Sequence, residues 1–148
     1  TVIAVELYKH TVGVGDRNDL LKIVMGALFH DVTEIIHGDI PTPAKKFIRE
    51  TAGSSIFKVM EESLIPEIPY IGGKIEGLRK FIDMADRIEA THWIYENKAG
   101  IHADIVAKGC WKKMVEKAIS LDMIEPVNKV LISLGMPYIY KEIMDHAP

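Results

Sequence analysis

The sequence predicts an all-α fold of about five to seven helices, and three observations carry that expectation. Apolar residues recur at spacings of three and four through most of the chain. Nothing alternates with period two for long enough to make a strand. Glycine and proline fall in clusters, around Gly13, Gly38, Pro66 and Gly100, which divide the periodic segments into helix-sized pieces.

The first segment already reads as helix, with Val2, Ile3, Val5, Leu7 and Tyr8 preceding His10. Gly13 and Gly15 then turn the chain, and Asp16, Asn18 and Asp19 supply the capping and first-turn acids of a long second helix. Its apolar positions run from Leu20 to Ile36, and Gly38 with Pro41 supplies the stop. On this reading His30, Asp31 and Glu34 occupy its last two turns. A third helix is expected from Pro43, a residue suited to a first helical turn, with an interruption at Gly53, Ser54 and Ser55 before Ile56, Val59, Met60 and Leu64. Pro66, Pro69, Gly72 and Gly73 make a loop. From 74 to 97 the positions Ile75, Leu78, Phe81, Ile82, Ala85, Ile88 and Trp93 predict one helix with Asp86 in its buried middle. Residues 101 to 119 and 126 to 144 read as two more, the latter bent or split around Gly135 and Pro137.

The 148 residues suit one domain, and residues 1 to 148 are taken as a single unit. A net charge of −3 gives no electrostatic footprint for a nucleic acid polymer. Cys110 is the single cysteine, so no internal disulfide forms and a reducing, cytoplasmic address is expected. No run of about 18 apolar residues suggests a membrane span.

The stretch HDVTEIIHGD, residues 30 to 39, carries the chemistry. A solvated helix face would carry lysine and glutamate at such density, whereas here histidines and acids are embedded among valine and isoleucine. Successive helical residues diverge by about 100°, so His30 and Asp31 straddle one edge and Glu34 returns between them. An imidazole and carboxylates around one point suit a divalent transition metal. A further carboxylate must come from another segment. Asp86 is the candidate, because it interrupts an apolar helical face where an unpaired charge is costly. A bare His-Asp pair also arises as a structural partnership, and an Asp at such a position can be held by an arginine such as Arg87.

The longer pattern, HDVTE followed by GDIPTPAK, resembles the HD-domain phosphohydrolases, and within them the bacterial 5′-deoxynucleotidases and their phage relatives, the dATP triphosphohydrolases. The segment MADRIEATHWIYEN looks like the later helix of that family, and the resemblance extends from about Thr1 to Gly100. It implies a compact helical HD-domain fold in which His30, Asp31 and Asp86 hold one divalent ion, cobalt, manganese or zinc, with magnesium as a second option. It implies Glu34 as the acid that activates or positions water, Asp39 as a second catalytic or supporting acid, and Lys45 as a phosphate-facing lysine. It further implies a small deoxynucleotide as substrate and a homo-oligomeric assembly, with apolar residues between Ile101 and Met144 available for the contact.

Two departures stand out. The family's first metal-ligating histidine aligns one position before Thr1, so the chain is expected to lack its native amino-terminal segment. Asp83 stands where many relatives carry a lysine, and a carboxylate there repels phosphate. The expected activity is therefore hydrolysis of a deoxynucleotide, either a monophosphate to deoxynucleoside and phosphate or dATP to deoxyadenosine and triphosphate. A catalytically silent, nucleotide-binding or regulatory HD module is the alternative, and a helical scaffold whose polar cluster only caps and pairs is a third. The other candidates have simpler readings: His37 as a helix cap, His92 as structural, and Glu89 as a supporting or solvated carboxylate. Trp93, Tyr95 and Trp111 are available to stack on a base or to fill core and interface.

Overall fold

In a computed structural model the described residues are 1–31, 38, 40–53, 55–56, 59, 77–97 and 99–139. They form six helices and no strand, the all-α class that the periodicity predicts: α1 (Val2–Val12), α2 (Arg17–Phe29), α3 (Thr42–Ala52), α4 (Arg79–Asn97), α5 (Gly100–Ser120) and α6 (Ile124–Ser133).

Helix α1 lies at the centre of the packing, against α2, α4 and α6, while α4 also packs on α2 and α5. Its Ala4, Leu7 and Tyr8 are buried with Ile23 of α2, Phe81, Met84 and Ile88 of α4, Met114 and Ala118 of α5, and Val127 and Leu131 of α6. Burying a leucine- or phenylalanine-sized side chain stabilises by roughly 1.5–3 kcal/mol each. This shared core therefore fixes α2 and α4, the two helices that carry the candidate site.

Tyr8 ties the α1–α2 corner to that core. Its ring meets Phe81 edge-on, with centroids 5.3 Å apart. Its hydroxyl oxygen accepts from the Asp16 backbone N–H at 3.2 Å. Gly15, at φ +62°, crosses so close to this ring that a Cβ would lie 2.9 Å from Tyr8 Cζ. Helix α2 then starts as expected, with the Asp16 side chain accepting from Asn18 N–H at 3.0 Å.

Several boundaries differ from the sequence expectation. Helix α2 ends at Phe29 rather than continuing toward Gly38, and His30 and Asp31 follow in a turn. The His30 ring contributes to this end: its Nδ1 lies 2.9 Å from the Ala27 carbonyl, which it engages in place of a backbone N–H. Helix α3 begins at Thr42 with proline in its first turn, as read. Helix α4 starts at Arg79, after a Gly77–Leu78 turn in which Phe81 N–H bonds to the Leu78 carbonyl at 3.0 Å. Helix α6 starts at Ile124 and stops at Ser133, at the split around Gly135 and Pro137 that the sequence predicts, and residues 140–148 lie outside the described residues. There Gly135, at φ +69°, takes the left-handed conformation that closes a helix, and Met136 N–H bonds back to the Leu131 carbonyl at 2.9 Å. Just beyond, buried Asn128 Oδ1 accepts the Ile139 N–H at 2.7 Å and pins the departing chain.

Candidate active site

His30 and Asp31 stand at the carboxyl end of α2, and the His30 Nε2 is 2.8 Å from Asp31 Oδ2. The opposite ring nitrogen faces the Ala27 carbonyl at 2.9 Å. When Nδ1–H donates to that carbonyl, Nε2 keeps its lone pair and the ring orientation is fixed, which is the arrangement that metal-bound histidines use. The short Nε2 to Oδ2 approach is then one that a shared proton or a cation bridges. Side chains of both residues are open to solvent, 35% for His30 and 58% for Asp31.

Asp86 lies in the middle of α4. It is not in the buried stripe, contrary to the expectation of a buried middle position: Phe81, Ile82, Met84, Ala85, Ile88 and Thr91 are buried, and Asp86, one step of about 100° from Ala85, is exposed. Its carboxyl nevertheless sits among enough protein atoms to be desolvated, and this burial is the main cause raising its pKa above the ordinary carboxylate value. His30 opposes the shift, Asp31 and Glu89 reinforce it, and Arg87 opposes it. The residue is thus open along one side while its carboxyl lies in the field of His30 and Asp31. The α2–α4 packing puts Asp86 within the electrostatic influence of His30 and Asp31, more than fifty positions away in sequence. Among the described residues no three histidine, cysteine or acidic side chains stand close enough to form a ready-made ligand group. His30 and Asp31 are in contact, and Asp86 lies within their electrostatic range.

Glu34 and Asp39 lie outside the described residues, as does His37. Lys45 is described: it is half-buried on α3, its backbone N–H bonded to the Pro41 carbonyl at 2.9 Å. With Lys46, Arg49 and Glu50 it lines an open recess of about 620 Å³. Lys46 pairs with Glu50 at 3.8 Å. Sequence reading singled out Lys45 and missed Lys46 and Arg49. The signal was present, since Arg49 stands four residues after Lys45 and three after Lys46, the spacings at which helical side chains are neighbours.

Asp83 is exposed on α4 and its Oδ1 lies 3.6 Å from Arg79 Nε, so its charge has a cationic neighbour within the same helix. His92 is half-buried and His102 exposed. Trp93 is 65% exposed, whereas Trp111 packs against the core margin.

A family model described as the YfbR-like 5′-deoxynucleotidase matches residues 3–117. The chain belongs to the YfbR-like 5′-deoxynucleotidase family. Helices α1, α2, α3 and α4 and most of α5 fall within the matched region of this family. A curated relative described as a dATP triphosphohydrolase, from Salmonella phage PMBT28, is 33% identical over 95 residues. That match covers 58% of this chain and 42% of the relative, so it spans less than half the relative's length. No solved structure gives a significant match. No helix among the described residues is long and apolar enough to cross a membrane.

Proposed function

We propose that this YfbR-like chain is a metal-dependent hydrolase of deoxynucleotide phosphates, with a purine deoxynucleoside triphosphate such as dATP as its preferred substrate. The observation that supports the reading is the contact of His30 with Asp31 in the turn after α2, together with their electrostatic influence on Asp86 of α4. The name of the phage relative favours a polyphosphate. The family description favours the second reading, a deoxynucleoside monophosphate releasing phosphate.

The donor set of one imidazole nitrogen and carboxylate oxygens fits a divalent transition ion such as cobalt, manganese or zinc. His30, Asp31 and Asp86 would hold it. Bound there, the ion would supply Lewis acidity and a lowered pKa for water. The rest of the work falls to the chain. The His30 Nδ1 contact with Ala27 orients the imidazole. Glu34 orients the attacking water and takes its proton. Lys45, with Arg49 one turn away, offsets the negative charge of the phosphates. Water adds at the α phosphorus, the bond from phosphorus to O5′ breaks, O5′ takes up a proton, and triphosphate leaves with deoxyadenosine. Asp39 supports this proton traffic, and a homo-oligomer in a cytoplasmic setting is part of the same reading.

The test is hydrolysis of dATP by metal-loaded protein, with product analysis for triphosphate and for phosphate. A protein that binds manganese or cobalt yet releases neither from any deoxynucleotide would instead be a nucleotide-binding module without catalysis.

A further inference from the structure

Apart from Asp86, one exposed stripe of α4 has no role in the proposed hydrolysis. Arg79, Asp83, Asp86, Ala90, Trp93 and Asn97 follow one another at spacings of four, three, four, three and four, and all are exposed. Residues seven apart on a helix differ by only about 20° in direction and rise by about 10.5 Å. Trp93 therefore shares the face of Asp86, two turns further along. An aromatic side chain on a helix leans back over the turn before its own Cα, which directs the indole toward Ala90 and the Asp86 end. Ala90 carries only a methyl group, so the step between Asp86 and Trp93 has a low floor.

The indole is 65% exposed although buried positions are close by, with Thr91 at 3% and Ile88 fully enclosed. The Trp93 backbone carbonyl accepts from the Asn97 side-chain Nδ2 at 2.8 Å. Charge orders the stripe. Arg79 lies two turns before Asp86, at the opposite end from Trp93, and the Glu89 carboxylate stands beside the intervening turn near enough to act on Asp86. Toward Arg79 a phosphate chain passes Asp83, whose carboxylate is offset by Arg79 at 3.6 Å; along Glu89 it would meet like charge, whereas an uncharged sugar and base would not.

We infer that Trp93 is the base-stacking platform of the site, with the deoxynucleotide lying along α4, its reacting phosphate at Asp86, its further phosphates away from Glu89, and its base on the indole. This deepens the proposed reading and rests on it. The two-turn rise between Asp86 and Trp93 is about the reach from the 5′ phosphorus of a nucleotide to the far edge of its base. An indole face accepts any base, so Trp93 holds the base by stacking rather than by hydrogen-bond readout.

The chain has two tryptophans, Trp93 and half-buried Trp111, so intrinsic fluorescence reports the contact directly. Titration with dAMP is expected to quench the wild type and to leave Trp93→Phe almost unquenched, while deoxyribose 5-phosphate and tripolyphosphate quench neither. In steady-state hydrolysis Trp93→Ala is expected to raise KM for dATP about tenfold to a hundredfold, from the usual strength of a base–aromatic stack, with kcat within about threefold of wild type. Trp93→Phe should recover most of the loss. Hydrolysis with wild-type KM in Trp93→Ala, or dAMP quenching that survives in Trp93→Phe, overturns the stacking inference and leaves the hydrolase reading intact. A wild type neither quenched by nor active on any deoxynucleotide overturns both.

Discussion

Asp86→Asn separates a metal ligand from a structural acid because the two roles give opposite signs with and without metal. In the metal-free protein the carboxyl is raised by burial, with Asp31 and Glu89 adding to the effect and His30 and Arg87 opposing it. Below the ordinary carboxylate pKa both folded and unfolded chains hold the proton, and Asp86 contributes nothing. As pH rises toward and through the raised folded value, the unfolded chain has released its proton while the folded chain retains it, so native stability falls. Above the raised value that loss is complete. Asparagine removes the penalty. Because Asp86 is exposed along one side, water and salt hold the gain to about 0.5 kcal/mol at neutral pH, roughly 1–2 °C in Tm for a chain of this size. Metal reverses the order. An ion at about one hundred times its Kd adds about 2.7 kcal/mol to the native state, roughly 5–11 °C. Asp86→Asn should lose nearly all of this. The assay is thermal unfolding by circular dichroism of both proteins from pH 4 to 8, with chelator and then with manganese or cobalt. A variant that is less stable than wild type in chelator, and that gains as much as wild type from metal, would refute the assignment of Asp86 as a ligand.

Gly15→Ala places a Cβ against the Tyr8 ring and forces a left-handed φ of +62° on an L residue; the backbone share of about 1 kcal/mol and an overpacking share of about 1–3 kcal/mol should appear as a fall of about 4–16 °C in Tm, and in a Tyr8→Leu background only the backbone share should remain. Asn128→Ala leaves the buried Ile139 N–H without its 2.7 Å acceptor and should cost about 1–3 kcal/mol in urea unfolding without altering metal affinity. Lys45→Ala should raise KM for dATP about tenfold and weaken inhibition by tripolyphosphate in parallel, as loss of one charge-assisted contact worth about 1.5 kcal/mol implies; equal loss toward uncharged deoxyadenosine would remove Lys45 from phosphate binding.

The helices were legible because apolar spacing survives as the buried stripes of α1, α2, α4 and α6. Their ends were less so. The α2 terminus depends on where the His30 ring points, and a polar side chain's choice of the Ala27 carbonyl is a rotamer question that spacing does not answer. Asp86 was singled out because it interrupts an apolar helical face, and that burial was misjudged, since the residue is exposed. A position adjacent to buried Ala85 can lie either inside or outside the stripe, and the α2–α4 packing places it at the open edge. The two tryptophans illustrate the same limit: both fall at helical spacing, yet Trp93 is exposed and Trp111 packs on the core margin. Glu34 and Asp39, the acids that the HDVTE and GDIPTPAK motifs single out, lie outside the described residues, so their roles rest on the motif and on the proposed reaction.

Product analysis on dATP, incubated with wild type, His30→Ala and Asp86→Asn in the presence of manganese, cobalt or zinc, tests the central claim most directly. Wild type should release deoxyadenosine and triphosphate, with chelator and either substitution lowering the rate at least a hundredfold. Undiminished release by both variants, or a metal-loaded wild type that yields no product from dATP or from any deoxynucleoside monophosphate, would contradict it.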